Sequence, residues 1–339
     1  MNAAWPEPRV NVDISKLKTY HFAENCDIHF CGTCSTPMFF VCPDTEDHPL
    51  SIFTGTLDDS PENLITVLHH IHVGDTKDGG ASVWLRKPNA DGSEAKRFFG
   101  RSEGDTVDPV PFDWPTAKML SGRYHSSKDY SLPIRCKCEG VNLIWYGAED
   151  ASDPPRQLSM FTDPTTFKNL AGFCACDSCR RPTGVDVWTW AFAELGNITL
   201  PTSTQADRHP LAKDIDELKA RVDAKDPSVG SLTYYTSSPG TCRYFCGTCS
   251  ACIFYTTERR PHIVDVAIGV LRASDGARAE NFLSWAFGVF SRVDDAKDGW
   301  RKDMRKRVAE ECEEWRIARE YPKNWVRLAR ESPAERAKP

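Results

Sequence analysis

Between residues 131 and 300 the chain alternates short apolar runs with polar breaks. Residues 141–146 (VNLIWY), 185–192 (VDVWTWAF), 197–200, 231–235 and 262–270 are rich in β-branched and aromatic side chains. They are bounded by Gly, Pro, Asp or Ser, so they predict strands. Residues 206–225 break that rhythm. Leu and Ile recur there at helical spacing among charges, with Pro201 before and Pro227 after, which predicts a surface helix inserted between strands. Residues 82–131, with clustered Gly, Pro and Asp, read as irregular connection. From about Trp300 to Ala337 charges dominate around Trp315 and Trp325, predicting one or two helices packed on a β body and then a frayed end. The fold class is mainly β, with a charged helical C-terminal extension.

Part of this pattern occurs twice. His29-Phe30-Cys31-Gly32-Thr33-Cys34-Ser35 echoes Tyr244-Phe245-Cys246-Gly247-Thr248-Cys249-Ser250, and Thr76-Lys77-Asp78-Gly79-Gly80 echoes Ala296-Lys297-Asp298-Gly299-Trp300. The two landmarks are almost equally separated in each copy (31 to 77 and 246 to 297), which chance rarely produces. The copies are unequal, because Cys136 opens the second one far ahead of Cys246 while little chain precedes Cys31. Three segments are expected: 1–130 as a partial copy lacking its N-terminal part, 131–300 as a complete copy, and 301–339 as the helical extension.

Composition narrows the function. A length of 339 residues with 40% hydrophobic content is enough for two domains and a sizeable core. A net charge of −6 argues against nucleic acid or an anionic membrane as the main partner. No apolar run is long enough to span a bilayer, and the polar, proline-bearing start has no signal-peptide pattern, so a cytoplasmic location is expected. In that compartment clustered cysteines are better read as reduced thiolates on metal than as disulfides.

Seven of the fourteen cysteines fall at metal-ligand spacing: Cys136-x-Cys138, Cys174-x-Cys176-x-x-Cys179 and Cys246-x-x-Cys249. A C-x-C on a strand aims both sulfurs at one face. Two such pairs close a four-thiolate site, while a triplet leaves one coordination position open. Structural zinc takes four protein ligands and catalytic zinc three. The division of seven cysteines into four and three therefore points to one zinc that holds the fold and one that does chemistry. Two other readings of the triplet stand beside this one: a fourth ligand, Cys242 or Cys252, closes it into a second structural site, or it holds an iron–sulfur cluster, whose usual spacings differ.

The blocks Arg135-Cys136-Lys137-Cys138-Glu139-Gly140-Val141, Phe173-Cys174-Ala175-Cys176-Asp177-Ser178-Cys179-Arg180, and Ser238-Pro239-Gly240 leading into Arg243-Tyr244-Phe245-Cys246-Gly247-Thr248-Cys249 resemble those of the glutathione-dependent formaldehyde-activating enzyme family, which includes centromere protein V. The resemblance covers roughly residues 132–299, with a partial second match over 20–85, and the long two-copy form resembles fungal members. It implies a β-tent zinc-binding fold with one complete copy and an N-terminal partial copy. It also implies two zinc ions per chain: a structural one at Cys136, Cys138, Cys246 and Cys249, and a catalytic one at Cys174, Cys176 and Cys179. The implied activity is that of a carbon–sulfur lyase joining a glutathione-like thiol to formaldehyde or a similar small aldehyde as the S-hydroxymethyl adduct. Its partners are that thiol and that aldehyde. A three-thiolate zinc is soft, accepts a further sulfur, and deprotonates a thiol it binds, which favours a thiol substrate on chemical grounds as well. A non-catalytic zinc-stabilised scaffold is the alternative, as centromere protein V suggests, although the basic tail expected of a chromatin or microtubule binder is missing here.

Several further residues invite a role. Cys31 and Cys34 are candidate zinc ligands of the first copy, with Cys26 and Cys42 near enough to complete a site. His70 and His72 would share a strand face beside His69, but strand or surface positions are the simpler expectation for all three. Arg180 and Arg181 follow the triplet, where they clamp a substrate carboxylate or, more simply, stay solvated. Cys312 reads as a stray thiol on a helix, and Trp188 and Trp190 as core or cleft wall.

Overall fold

The computed structural model describes residues 1–4, 12–41, 50–102, 107–120, 131–147, 159–201 and 208–332. Its N-terminal part contributes β1 (Asn2–Ala4), β2 (Lys18–Ala23), β3 (Cys26–Phe30), β4 (Pro37–Val41) and β5 (Leu50–Phe53), which form one sheet in the order β1-β5-β4-β3-β2. β6 (His69–His70) and β7 (Lys96–Arg97) pair in parallel, and a short α1 (Ala117–Leu120) follows. Next come β8 (Ser131–Arg135), β9 (Asn142–Tyr146), β10 (Asn169–Cys174), α2 (Asp177–Thr183), β11 (Trp188–Glu194), β12 (Ile198–Thr199) and α3 (Ile215–Asp223). The remaining strands are β13 (Leu232–Ser238), β14 (Thr241–Cys246), β15 (Cys252–Thr257), β16 (Ile263–Ala267) and β17 (Leu283–Ser291). Two helices, α4 (Gly299–Ala318) and α5 (Trp325–Glu331), close the described chain. A seven-stranded sheet runs β13-β14-β15-β16-β11-β10-β17, and β12-β9-β8 form a small third sheet.

The protein is mainly β, as the apolar runs predict, and the expected strands lie within a few residues of those observed. The strand predicted over 185–192 begins at Trp188, and the one over 262–270 ends at Ala267, after which Ile268–Val270 is a 3-10 turn. The helix predicted over 206–225 is α3, capped by the Asp214 carboxylate, which accepts from Glu217 N–H; residues 206 and 207 lie outside the described residues. The described part of 82–131 is largely irregular as expected, apart from β7, α1 and the start of β8, but it is not peripheral. Val83, Trp84 and Leu120 are buried in the main core, with Trp84 packed edge-on to Phe173 at 5.1 Å and beside Trp285 at 5.2 Å. Both C-terminal helices pack on β17, and α4 buries Trp300, Met304, Val308, Cys312 and Trp315. Cys312 is thus a core residue rather than a stray thiol.

The repeated heptapeptide folds to the same turn in both places. Cys31 N–H donates to Thr36 C=O and Ser35 N–H to Cys31 C=O; Cys246 N–H donates to Ala251 C=O and Ser250 N–H to Cys246 C=O. Ser35 and Ser250 both take the left-handed conformation, at φ 62° and 60°. The register extends the likeness across the sheets. The row Tyr20–Ile28–Phe40–Ser51–Ala4 corresponds to Tyr235–Arg243–Tyr255–Asp265–Phe192, and the β-bulges fall at matching positions. β1 therefore stands where β11 stands. Later, His72 and Arg292 both have positive φ at the start of matching 3-10 turns.

Two buried networks fasten the N-terminal part to the rest. Arg180 Nη1 donates to the carbonyls of Gly55 (2.8 Å) and Leu57 (2.7 Å), and its Nη2 to Asp59 (3.0 Å). Arg301 joins the same segment, donating to Thr54 and Leu57 carbonyls and to Asp59 and Asp186. Gly55 lies so close to the Gly184–Val185 backbone that a Cβ would come within 2.4 Å of Val185 N. Arg180 is 1% exposed and fully engaged, so it is neither solvated nor free to clamp a substrate; Arg181 remains exposed. The second network centres on Arg278, which pairs with Glu280 at 2.8 Å, while Asp78 accepts from the N–H groups of Gly80, Ala277 and Arg278. Arg180→Ala is expected to cost about 3–5 kcal/mol, because it leaves buried carbonyls and a carboxylate without their cation. A urea midpoint unchanged from the parent protein would show that this network contributes nothing.

Candidate metal centres and the sheet face between them

Cys136 and Cys138 do not lie on a strand. They occupy the turn between β8 and β9, where Cys136 N–H donates to Val141 C=O and Glu139 turns left-handed at φ 60°. The Cys246-x-x-Cys249 turn meets them across the sheet ends. Cys138 and Cys246 sulfurs are 3.4 Å apart, Cys136 and Cys138 sulfurs 3.6 Å, and the four Sγ atoms form a group that could hold a metal ion. A close approach locks the two turns together. Ser231 N–H donates to Gly140 C=O at 2.8 Å, Gly247 N–H donates to Ser231 C=O, and a Cβ on Gly140 would meet Ser231 Oγ at 2.3 Å. Val141 N–H points at Cys136 Sγ (3.3 Å) and Cys249 N–H at Cys246 Sγ (3.4 Å). Hydrogen bonds from Cys136 and Cys249 hold the Cys246 thiol well below its ordinary range, while the bond to Cys246 pushes Cys136 up to about 11.

The triplet is built from one strand end and one helix start. Cys174 ends β10, Cys176 is the N-cap of α2, and Cys179 lies in its first turn. Their sulfurs lie within 4.8 Å of one another, Cys174 and Cys176 at 3.3 Å, and all three residues are buried. Trp190 Nε1 donates to Cys179 Sγ at 3.4 Å, and the Arg243 guanidinium lies 4.0 Å from that sulfur while donating to Ser178 Oγ at 2.7 Å. Hydrogen bonds from Cys174 and Cys176 hold the Cys179 thiol well below its ordinary range, aided by Arg243 and Trp190 and opposed by burial. The same hydrogen bonding pushes Cys174 upward. Three buried thiols so close cannot all ionise unless a cation joins them, and that donor set fits a soft metal ion.

Among the described residues neither Cys242 nor Cys252 joins either group, so the geometry offers the triplet no fourth cysteine. Cys242 instead lies beside Thr236 Oγ1 at 3.6 Å. The Cys31 and Cys34 pair also has no third ligand among the described residues, and Cys42 lies outside them. His69, His70 and His72 form no ligand set. His72 turns left-handed after the two-residue β6, which removes the shared strand face, and His70 Nε2 lies 2.7 Å from Leu85 C=O.

Sequence reasoning missed Arg243 and Asp265. Both lie in the row Arg243–Tyr255–Asp265, and Arg243 stacks on Tyr255 at 4.9 Å. A charged residue within a strand that faces the cysteine helix was the available signal. Burial pushes Asp265 up to about 7, although Arg260 lies 2.9 Å away. Between pH about 4 and 7 the unfolded chain releases this proton and the folded chain keeps it, so stability falls as pH rises through that window and is flat above it. The Asp265→Asn variant is expected to lose that slope, a difference of about 4 kcal/mol between pH 4 and 8. Urea midpoints of both proteins at the two pH values read it directly; equal slopes would place Asp265 outside the titration.

Among the described residues no helix is long and apolar enough to cross a membrane. No family model matches the chain, and neither do curated proteins or solved structures, so the two cysteine groups and the sheet face between them are what carries a functional reading.

Proposed function

We propose that the protein is a zinc-dependent carbon–sulfur lyase-type enzyme of the β-tent fold, joining a glutathione-like thiol to a small aldehyde such as formaldehyde. The observation that carries this reading is the triplet of Cys174, Cys176 and Cys179 without a fourth cysteine, beside a four-cysteine group that is complete. Cys174, Cys176 and Cys179 would hold the zinc, which would supply acidification of a thiol substrate. In the reaction the sulfur lone pair forms the S–C bond, the carbonyl π pair moves to oxygen, and that oxygen takes up the proton the thiol released. The chain's own residues serve the charges. Arg243, fixed by Ser178 and Tyr255, offsets the excess negative charge at Cys179, and Trp190 fixes that sulfur's orientation.

A second reading has its own observation. The three triplet cysteines are only 6–7% exposed, as suits a site that holds a structure together and excludes substrate. One experiment separates the two: zinc stoichiometry followed by X-ray absorption during glutathione titration. Two zincs per chain, one gaining a sulfur ligand, supports the enzyme. Two zincs already saturated by four ligands and indifferent to glutathione supports the scaffold.

A further inference from the structure

The register correspondence shows what the first copy did with the face that carries Arg243 and Asp265 in the second. Ile28 stands at the position of Arg243, Ser51 at that of Asp265, and Phe40 at that of Tyr255. The charges are gone: Ile28 replaces Arg243 and the neutral Ser51 replaces Asp265. This converted face does not meet the second copy in a dry contact. A cavity of about 250 Å³ remains between them, floored by Tyr20, Phe22 and Ile28 and walled opposite by Trp188, Ala267 and Gly269. At about 30 Å³ per water, that is room for a molecule on the order of ten heavy atoms.

One cationic side chain lines the space, which Cys249 lines as well. Lys137, between two ligands of the four-cysteine group, is exposed and lies 5.5 Å above the Phe22 ring; among the described residues it has no acidic partner. Trp188 Nε1 is buried and likewise has no hydrogen-bond partner among the described residues. A neutral hydrocarbon would leave both unused. An apolar ligand ending in an anion would place its body between Ile28 and Trp188 and its charge at Lys137.

We propose that this cavity, which adjoins the four-cysteine group through Cys249, is a binding site for a small amphipathic carboxylate, aromatic or medium-chain. Its place in the fold also gives it reach. Pro182 and Thr183 line it at the C-terminal end of α2, Thr183 Oγ1 donates to Cys179 C=O at 2.8 Å, and Trp188 packs edge-on against Trp190 at 5.5 Å. Occupancy therefore bears on the helix and the indole that hold the Cys179 sulfur.

The test uses the metal-loaded full chain and 4-phenylbutyrate as probe, followed by calorimetry and tryptophan fluorescence. Gly269 provides the blocking variant: it lines the cavity and a Cβ there meets nothing within 4 Å, so Gly269→Leu adds bulk at the wall without a clash at Cβ. One saturable site is expected, with affinity lowered at least about tenfold in Gly269→Leu at an unchanged melting temperature. Lys137→Ala is expected to weaken the carboxylate roughly fivefold and leave the neutral 4-phenylbutyramide unaffected. Absence of saturable binding, or equal binding by Gly269→Leu, overturns the site. Equal binding of acid and amide by the parent protein overturns the anionic class of ligand.

Discussion

Cys249→Ser is expected to empty both metal sites and abolish the cooperative melt of residues 131–332. Cys249 is buried, and its sulfur completes a group whose other members come from the turn after β8 and the end of β14. Those two turns meet through Gly140, Ser231 and Gly247, with Val141 and Leu232 buried beside them. A metal at the four sulfurs would tie the small sheet to the seven-stranded one at that end. Structural zinc contributes apparent free energies of about 10–16 kcal/mol in small zinc domains, comparable to or larger than the ~5–15 kcal/mol net stability of a typical fold. Serine keeps the shape but offers a hard, protonated oxygen that a soft metal binds poorly. Zinc content and far-UV circular dichroism on heating check the prediction. Loss of one zinc with an intact melt would assign this group a minor structural role.

How much of this was legible beforehand depends on which residues carried the signal. The cysteine groups were legible because ligand geometry forces short spacings, and those survive in sequence as C-x-C and C-x-x-C. The route to convergence was not, since Cys136 and Cys138 reach one point through a turn and a left-handed Glu139 rather than through strand alternation. β10 and β14 were missed because Ala, Gly, Cys and Arg occupy strand positions that packing, not propensity, decides. Arg180 looked solvated because its partners are backbone carbonyls of residues 55 and 57, and no sequence pattern marks a carbonyl. The repeat was visible at its glycines and cysteines. Its meaning, the exchange of Arg243 and Asp265 for Ile28 and Ser51, required the register.

Cys176→Ser is expected to separate the two centres, removing the chemistry while the fold stays. Cys176 is the N-cap of α2, and its side chain makes no capping hydrogen bond there. Serine is among the best N-cap residues, worth about 1 kcal/mol over alanine, so the helix start is kept or improved. The arginine network that binds α2 to residues 54–59 is untouched, because it runs through Arg180 and Arg301. Only the third soft ligand is lost. Under the proposed function Cys174 and Cys179 alone would not retain a zinc at the triplet, and the variant should carry one zinc per chain with a melt close to the parent's. The rate of S-hydroxymethyl adduct formation, read by exchange NMR with labelled formaldehyde and glutathione, should fall to the uncatalysed background. A fall of at least about 100-fold exceeds what losing an outer-shell partner produces. Should Cys176→Ser unfold the protein as thoroughly as Cys249→Ser, both groups are structural and the scaffold reading replaces the enzyme.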